Sequence, residues 1–220
     1  MSRALLILLL LLGSLGRAQT VCIDPGHPSE VGEGTRGKRI TEMKAAWKVA
    51  LLLKAKLEAK GVKVVLTKQT EKQYVKNRDR AATANKANAD LMVRLHCDSA
   101  GGSGFATYYP AKQGTAQGRT GPSDEVLAMS RAAAKVFHAK LAAGLKGALR
   151  NNGLKTDMQT KVGAQNGGAL IGSIFSEVPV VLVEMCVLTN DSDDRFMSSA
   201  EGQDRFAQAL CDATLAAIKK

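Results

Sequence analysis

Four polar residues of this 220-residue chain are of the types that perform hydrolysis at a metal ion. They are two histidines, His27 and His96, and two glutamates, Glu42 and Glu184. Two imidazoles and one carboxylate suffice to bind catalytic zinc, which keeps a fourth position open for water. A carboxylate that does not touch the metal can accept a proton from that water and return it to a leaving amine. We therefore predict that His27, Glu42 and His96 bind Zn²⁺ and that Glu184 is the catalytic acid and base.

The spacing of these residues is weak support by itself, because Glu42 lies 15 positions after His27 and 54 positions before His96. Each residue also has a structural alternative. A lone histidine at a strand end often serves as a hydrogen-bonding structural residue, and a glutamate at a helix start can interact with the helix dipole. Glu184 differs, since an acid that follows Val-Val-Leu-Val is costly to bury without a partner.

Strands and helices alternate in the first half of the chain according to its apolar pattern. The expected elements are strands at 21–23, 62–66 and 91–95 and helices at 41–60 and 77–89. This order favours an α/β fold, a three-layer α/β/α sandwich with a mostly parallel twisted sheet. Ligands of such sheets bind at the carboxyl ends of the strands, where His27, His96 and Glu184 are expected.

The second half of the chain has a less regular pattern. The expected elements are an edge strand at 105–109, a surface loop at 111–122, a long helix at 123–150, a weak strand at 169–171, a strong strand at 180–184 and a final helix at 199–218. An apolar stripe that includes Met129 and Val136 is expected to face the core from the long helix. The segment 100–122 either lines a substrate groove or forms a surface loop.

Residues 1–18 have the features of a secretory signal peptide. Arg3 precedes an apolar run at 4–12, and small residues lead to a cleavage site near Ala18. The run is shorter than the roughly 20 residues that span a bilayer. We therefore expect a secreted or cell-envelope protein without stable membrane insertion after cleavage, in which residues 19–220 form one catalytic domain.

The mature chain is basic, because removing Arg3 and Arg17 lowers the formal net charge only from +11 to +9. A basic exported protein stays close to polyanions, among them anionic polymers of the cell wall. Blocks of Lys and Arg with interleaved aromatic residues are missing from the sequence, so we predict no nucleic-acid partner.

Four cysteines, Cys22, Cys97, Cys186 and Cys211, allow three disulfide pairings, between which the sequence does not choose. Strand alternation places Cys186 on the face of Glu184 and Cys97 opposite to His96. Each of these two could be a small apolar filler of the core, or its thiolate could compete for zinc.

Five collinear segments carry a resemblance to a known family: VCIDPGHP, ITEMK, GVKVVLT, RDRAATANKANADLMVRLHCDS and VPVVLVEMCVLTN. They resemble the zinc-dependent N-acetylmuramoyl-L-alanine amidases of amidase type 3, from residue 21 to the C-terminal helix. The resemblance implies an α/β fold and hydrolysis of the amide between N-acetylmuramic acid and L-alanine in peptidoglycan. It also implies that His27, Glu42 and His96 bind the metal and that Glu184 is catalytic.

Further roles follow from the same segments. Arg80 and Asn85 match family positions and are predicted to be structural. Asp24 is predicted to orient the turn before His27 or a ligand imidazole.

His138 is expected to be an ordinary helix residue. Peptidoglycan is the expected partner, and we expect a monomer.

Two other functions remain open from the sequence. A zinc carboxypeptidase that shortens peptidoglycan stem peptides would need a cation for the terminal carboxylate, and the motif segments offer no obvious arginine for it. A non-catalytic wall-binding protein on the same fold would be expected to have lost a ligand or the base, whereas all four residues are present.

Overall fold

The computed structural model describes residues 17–99 and 101–219. Most of the predicted signal peptide, residues 1–16, lies outside the described residues. Within those residues, we find no helix with the length and apolar character needed to cross a membrane.

In the described part of the chain, eight strands form two sheets. Their bounds are β1 Thr20–Pro25, β2 Lys63–Leu66, β3 Leu91–Asp98, β4 Phe105–Tyr109, β5 Gly114–Ala116, β6 Arg119–Gly121, β7 Asn151–Thr156 and β8 Val180–Val187. The main sheet has the order β2-β1-β3-β8-β4-β7, and β5 and β6 form a separate hairpin. Only the β4–β8 pairing in the main sheet is antiparallel.

Helices cover both faces of the main sheet. Their bounds are α1 Glu42–Glu58, α2 Asn77–Lys86, α3 Asp124–Gly144, α4 Lys161–Gln165, α5 Ile171–Ile174, α6 Asp191–Ser198 and α7 Ala200–Ile218, with a 3₁₀ turn at Asp157–Gln159. The largest core joins α1, α3 and α7 to one face of the sheet. A smaller cluster joins α2 to the other face. The predicted three-layer α/β/α sandwich with a mostly parallel sheet is thereby confirmed.

The alternating first half of the chain follows its sequence pattern closely. Thr41 caps α1, because its side chain accepts a hydrogen bond from the backbone N–H of Lys44. Gly61 follows this helix with a φ of +78°, a conformation that glycine adopts readily. The third strand is longer than predicted, so His96 lies within β3 instead of after its end.

The second half differs from the prediction in its strands. The predicted edge strand β4 lies between β8 and β7, because Asn151–Thr156 adds an unpredicted strand at the edge. That segment begins with Asn-Asn-Gly, which is typical of turns, and its side chains are only partly buried. The predicted loop 111–122 contains the hairpin β5–β6, where Gln117 and Gly118 adopt positive φ angles of +50° and +77°. Positive φ at both central residues is the requirement of a tight hairpin turn.

The predicted weak strand at 169–171 is wrong as well. Leu170 is the N-cap of the short helix α5, and only Ile171 of the predicted strand continues into that helix. The helix α6 was not predicted, although Asn190 caps it by accepting hydrogen bonds from the backbone N–H groups of Ser192 and Asp193. An asparagine before an acidic first turn is a usual start of a helix.

The long helix α3 ends at Gly144, six residues earlier than predicted. Its buried stripe contains Val126, Ser130, Ala134, Phe137 and Leu141. Met129 and Val136, which were expected in the core, are 36% and 45% exposed. The buried stripe and the neighbouring stripe through Met129 and Val136 both repeat with the helical period of 3.6 residues. The sequence pattern alone therefore did not determine which of the two stripes faces the core.

Candidate active site

The turn after β1 is held by backbone contacts on both sides of His27. The N–H of Gly26 donates to the carbonyl of Leu95 at 2.9 Å. A Cβ atom at Gly26 would lie 2.6 Å from Cε1 of His96, so only glycine fits between the two strands. His27 itself has a φ of +53°. Its Nδ1 lies 2.9 Å from the carbonyl oxygen of Gly32, which leaves Nε2 free to face the site.

The buried carboxylate of Asp24 lies beneath this turn and binds two arginines. Asp24 accepts hydrogen bonds from Arg80 Nη1 at 2.7 Å and from Arg94 Nε at 2.9 Å. Arg80 also donates to the carbonyl oxygens of Pro25 and Pro28, on either side of the turn. Burial opposes ionisation of Asp24, but the two guanidinium groups hold its pKa below the usual range. Asp24 therefore acts on the turn through Arg80 and makes no contact with an imidazole.

A buried lysine completes the support of the turn. Lys68 Nζ donates to the carbonyl oxygens of Gly26, His27 and Glu71. Burial lowers the pKa of Lys68 to about 8, and the nearby positive charge of Arg80 contributes to this shift. The sequence analysis did not identify this residue, because a lysine after a short strand is usually solvated.

Glu42 is fixed at the start of α1 by two backbone donors. Its Oε2 accepts from the N–H of Thr35 at 2.8 Å, and its Oε1 accepts from the N–H of Cys97 at 3.1 Å. The same Oε1 lies 3.2 Å from His27 Nε2 and 3.0 Å from His96 Nδ1. One ligand atom from each of the three residues lies within 4.8 Å of the other two. This cluster can therefore hold a single metal ion.

Glu184 stands beside this cluster on the neighbouring strand. The register of β3 and β8 pairs His96 with Glu184. Glu184 Oε2 and His96 Nε2 are buried and have no hydrogen-bond partner among the described residues. Buried polar atoms without partners cost about 1–3 kcal/mol each, so such atoms in an active site indicate a ligand or solvent molecule that they would contact.

The three clustered residues differ in how their surroundings affect ionisation. Burial opposes ionisation of Glu42, but hydrogen bonds with the imidazoles of His27 and His96 lower its pKa. Burial lowers the pKa of His96, which favours the neutral imidazole that binds metals. Burial alone would lower the pKa of His27, yet its hydrogen bond with Glu42 raises it.

The carboxyl group of Glu184 is in a different environment. Its pKa lies well above the usual range, because it is buried and close to the carboxylates of Glu42 and Asp98. A carboxyl group with a raised pKa holds a proton more readily than an ordinary glutamate, which suits it to proton transfer.

A cavity of about 220 Å³ opens over these residues. Polar side chains of His27, Asn77, Arg94, His96 and Glu184 line part of it. Its other walls are largely apolar and include Val31, Val162, Leu170, Ile171 and Leu182, with Thr160 and Lys161 beside them. The cavity therefore combines polar residues that can bind a metal ion and transfer a proton with an apolar surface that can accept a small side chain.

Arg94 lines this cavity and was not among the predicted site residues. It donates from Nε to Asp24 and from Nη2 to Asn77 Oδ1 at 2.6 Å. Its guanidinium group packs against Gly172, where a Cβ atom would lie 2.7 Å from Cζ. The motif segments offered no obvious arginine for a terminal carboxylate, but Arg94 lies in one of them and lines the cavity. Arg94 lies two residues before His96, and the two-residue period of a strand could have placed it on the same face.

A sequence model described as N-acetylmuramoyl-L-alanine amidase matches residues 21–216. The chain belongs to this family. The match includes all four predicted site residues and nearly all of the described structure. The family resemblance expected from the five sequence segments is confirmed.

Individual relatives agree with this assignment. The chain is 30% identical over 200 residues to the N-acetylmuramoyl-L-alanine amidase LytC of Bacillus subtilis, covering 90% of this chain and 35% of LytC. It is 30% identical over 167 residues to an N-acetylmuramoyl-L-alanine amidase of Mycobacterium tuberculosis, covering 74% of this chain and 63% of that protein. The chain thus spans about a third of LytC and less than two thirds of the mycobacterial relative.

A solved amidase structure has the same fold. The amidase Ami1 of Mycobacterium smegmatis superposes with a TM-score of 0.74 at 23% identity, over 91% of this chain and 96% of Ami1.

The cysteines of this chain do not line the cavity. Cys97 points into the main core, opposite to His96, as strand alternation predicted. Cys186 was expected on the face of Glu184, but it also lies in the main core. The register pairs His96 with Glu184 and Asp98 with Val187, so β8 contains one additional residue in a bulge that turns Cys186 away from Glu184. The geometry therefore does not support a thiolate ligand from either residue.

Other residues that the sequence singled out lie apart from the cavity. His138 in α3 contacts Thr107 Oγ1 at 3.0 Å. Asn85 binds the backbone of Phe175 and Glu177, in agreement with its expected structural role. The described residues of the 100–122 segment do not line the 220 Å³ cavity.

Proposed function

We propose that this chain is a zinc-dependent hydrolase that cleaves the amide between N-acetylmuramic acid and L-alanine in peptidoglycan. The convergence of His27, Glu42 and His96 beside the buried Glu184, in a chain that its family model matches from residue 21 to 216, carries this proposal. The amidase relatives named above support the choice of substrate.

Zinc fits the donor set, since two imidazoles and one carboxylate leave a position open for water or substrate. His27 is held by the carbonyl of Gly32, and Glu42 by the N–H groups of Thr35 and Cys97. Such outer contacts fix the orientation of metal ligands. A zinc ion bound there supplies Lewis-acid polarisation of the scissile carbonyl and lowers the pKa of a water molecule.

Glu184 moves the proton in this mechanism. Its carboxylate accepts a proton from the attacking water and passes it to the nitrogen of the departing L-alanine. The unpartnered Oε2 faces no competing donor among the described residues. The apolar wall formed by Leu170, Ile171 and Leu182 suits the methyl group of that alanine.

Arg94 favours a second candidate function, a zinc carboxypeptidase acting on stem peptides. Its guanidinium group lines the cavity and could pair with a terminal carboxylate. Both functions would use the same metal site, and they differ in the bond that is cleaved. The products therefore distinguish them.

Digestion of purified peptidoglycan by the zinc-loaded protein tests the proposed function. We expect mass spectrometry to detect free stem peptides that begin with L-alanine, and we expect a chelator to stop their release. Stem peptides that remain attached to the glycan and are shortened at their carboxyl end would support the carboxypeptidase. Absence of both products from the zinc-loaded protein would favour a non-catalytic wall-binding protein.

We further propose that residues 1–18 are removed on export and that residues 19–220 act as a monomer in the cell envelope or outside the cell. Without Arg3 and Arg17 the formal net charge falls from +11 to +9, and this basic chain would be held near anionic wall polymers. N-terminal sequencing of the exported protein tests the cleavage, and light scattering tests the monomer.

Metal binding is expected to depend on His96 and not on His138. The replacement His96→Ala removes one of three protein ligands, so we expect bound zinc to fall from one ion per chain to less than a tenth of that value after dialysis. The matched control His138→Ala alters a histidine that hydrogen-bonds Thr107, and it should retain one zinc ion. Elemental analysis measures both, and full zinc retention by His96→Ala would contradict the assigned site.

The pH profile of kcat/KM is expected to reflect the raised pKa of Glu184. A general base must be ionised, so activity should rise with pH through an inflection above the ordinary glutamate pKa of about 4.3. Zinc content must be measured at each pH, because protonated histidines release metal. An inflection at or below about 4.3 in fully zinc-loaded protein would contradict a raised pKa of Glu184 in the loaded enzyme.

A further inference from the structure

Two buried cysteines lie directly behind the active site and have no part in the proposed hydrolysis. Cys97 belongs to β3 and Cys186 to β8, and these strands are neighbours in the main sheet. The side chains lie in the same core cluster, with their Sγ atoms 3.8 Å apart. Both thiols are free in the structure.

The remaining two cysteines are placed differently. Cys22 is part of the separate cluster beneath α2, on the other face of the sheet. Cys211 belongs to α7 and packs into the main core from the helical layer. Only one of the three possible pairings contains the bond between Cys97 and Cys186, and the structure favours this bond without bringing Cys22 and Cys211 together.

The backbone geometry is compatible with a covalent bond at this position. Neighbouring strands lie about 4.8 Å apart, and disulfides join residues whose Cα atoms are about 4.4–6.8 Å apart. The two sulfur atoms must approach from 3.8 Å to the disulfide length of about 2.05 Å. The bulge in β8 turns Cys186 toward Cys97, so side-chain rotation can supply this movement.

We propose that Cys97 and Cys186 form a disulfide that joins β3 to β8 behind the metal ligands. Cys97 directly follows His96, and its backbone N–H binds Glu42. Cys186 lies two residues after Glu184. The bond would therefore connect the strand that carries a metal ligand to the strand that carries the proposed base.

The reaction is a thiol–disulfide exchange with a small disulfide such as oxidised glutathione. One thiol loses its proton and attacks the small disulfide, which gives a mixed disulfide and releases one reduced thiol. The second cysteine then displaces the other half as a thiolate, which takes up a proton. The two cysteines lose two electrons, and the small disulfide is reduced to two thiols. Because both cysteines are buried, this exchange takes place during folding, before the strands close.

The location of the bond can be mapped on the wild-type chain. The protein is refolded in a mixture of oxidised and reduced glutathione, and free thiols are blocked after denaturation. Trypsin cleavage after Lys and Arg places the four cysteines in four different peptides, with Cys97 in 95–112 and Cys186 in 162–195. We expect mass spectrometry to show these two peptides joined. Blocked thiols on both residues, or a bond from either to Cys22 or Cys211, would overturn the proposal.

The stability of the refolded protein gives a second readout that does not use activity. The bond closes a long loop, so its reduction is expected to lower the Tm by about 5 °C or more. Tris(2-carboxyethyl)phosphine is a suitable reductant because it binds zinc weakly. Each variant is refolded once in the glutathione mixture and once in the reductant, and the Tm values of the two preparations are compared. The Tm of Cys186→Ser should not respond, whereas Cys211→Ala should respond like the wild type. An equal response of Cys186→Ser and wild type would contradict the proposal.

Discussion

Replacing Glu184 with glutamine is expected to lower kcat/KM on peptidoglycan by about 10²- to 10⁴-fold while zinc remains bound. Glutamine has nearly the same shape as glutamate but does not accept the proton of the attacking water. Glu184 lies beside the metal cluster and contributes none of its three ligands, so the zinc content should stay at one ion per chain. Release of stem peptides measures the activity, and elemental analysis measures the zinc.

The matched control is Glu177→Gln, which changes a glutamate shortly before β8 that forms an exposed ion pair with Arg119. This variant should keep wild-type activity. Release of stem peptides by zinc-loaded Glu184→Gln at a rate within about threefold of the wild type would exclude Glu184 as the proton carrier, since a lost acid–base group has a far larger effect.

Replacing Asp24 with asparagine is expected to lower the free energy of unfolding by about 3–5 kcal/mol. Asp24 is fully buried and pairs with Arg80 and Arg94, which are 1% and 3% exposed. Asparagine keeps the size of the side chain but leaves both guanidinium groups without a neutralising charge. For a chain of this length the loss corresponds to a fall in Tm of about 10 °C. Calorimetry on the zinc-free protein separates this effect from metal binding.

An exposed aspartate provides the comparison for Asp24. Asp191 forms ion pairs with Arg39 and Arg195 at the surface, so Asp191→Asn should change stability by less than about 1 kcal/mol. The folded-state pKa of Asp24 is lowered, so its contribution is present above the unfolded pKa of about 3.9 and is lost as the pH falls through the folded value. If Asp24→Asn and Asp191→Asn were equally stable, the buried ion cluster would not support the turn.

The sequence pattern was most informative where strands and helices alternate and each has one distinct apolar face. In this region the positions of β1, α1, β2, α2 and β3 were predicted within a few residues. Because parallel strands end at one edge of a sheet, this order also indicated that His27, His96 and Glu184 would lie near each other. The structure places them together with Glu42, although the roles of these residues remain proposals.

Other features depend on contacts that a local pattern does not contain. The edge strand β7 is polar and only partly buried, so it lacks an apolar period. The bulge in β8 reverses the direction of Cys186, and alternation cannot predict it without the partner strand. Strand alternation could indicate the face of Arg94, but not its buried partners Asp24 and Asn77, which come from distant segments.

Zinc-edge anomalous diffraction from crystals of the zinc-loaded protein is the most direct test of the metal site. We predict one strong peak among Glu42 Oε1, His27 Nε2 and His96 Nδ1, at about 2.0–2.2 Å from each atom. We also predict that the carboxyl group of Glu184 remains beyond bonding distance of the zinc. A peak bound by other residues, or imidazoles of His27 and His96 too far apart to share one ion, would contradict the proposed metal site.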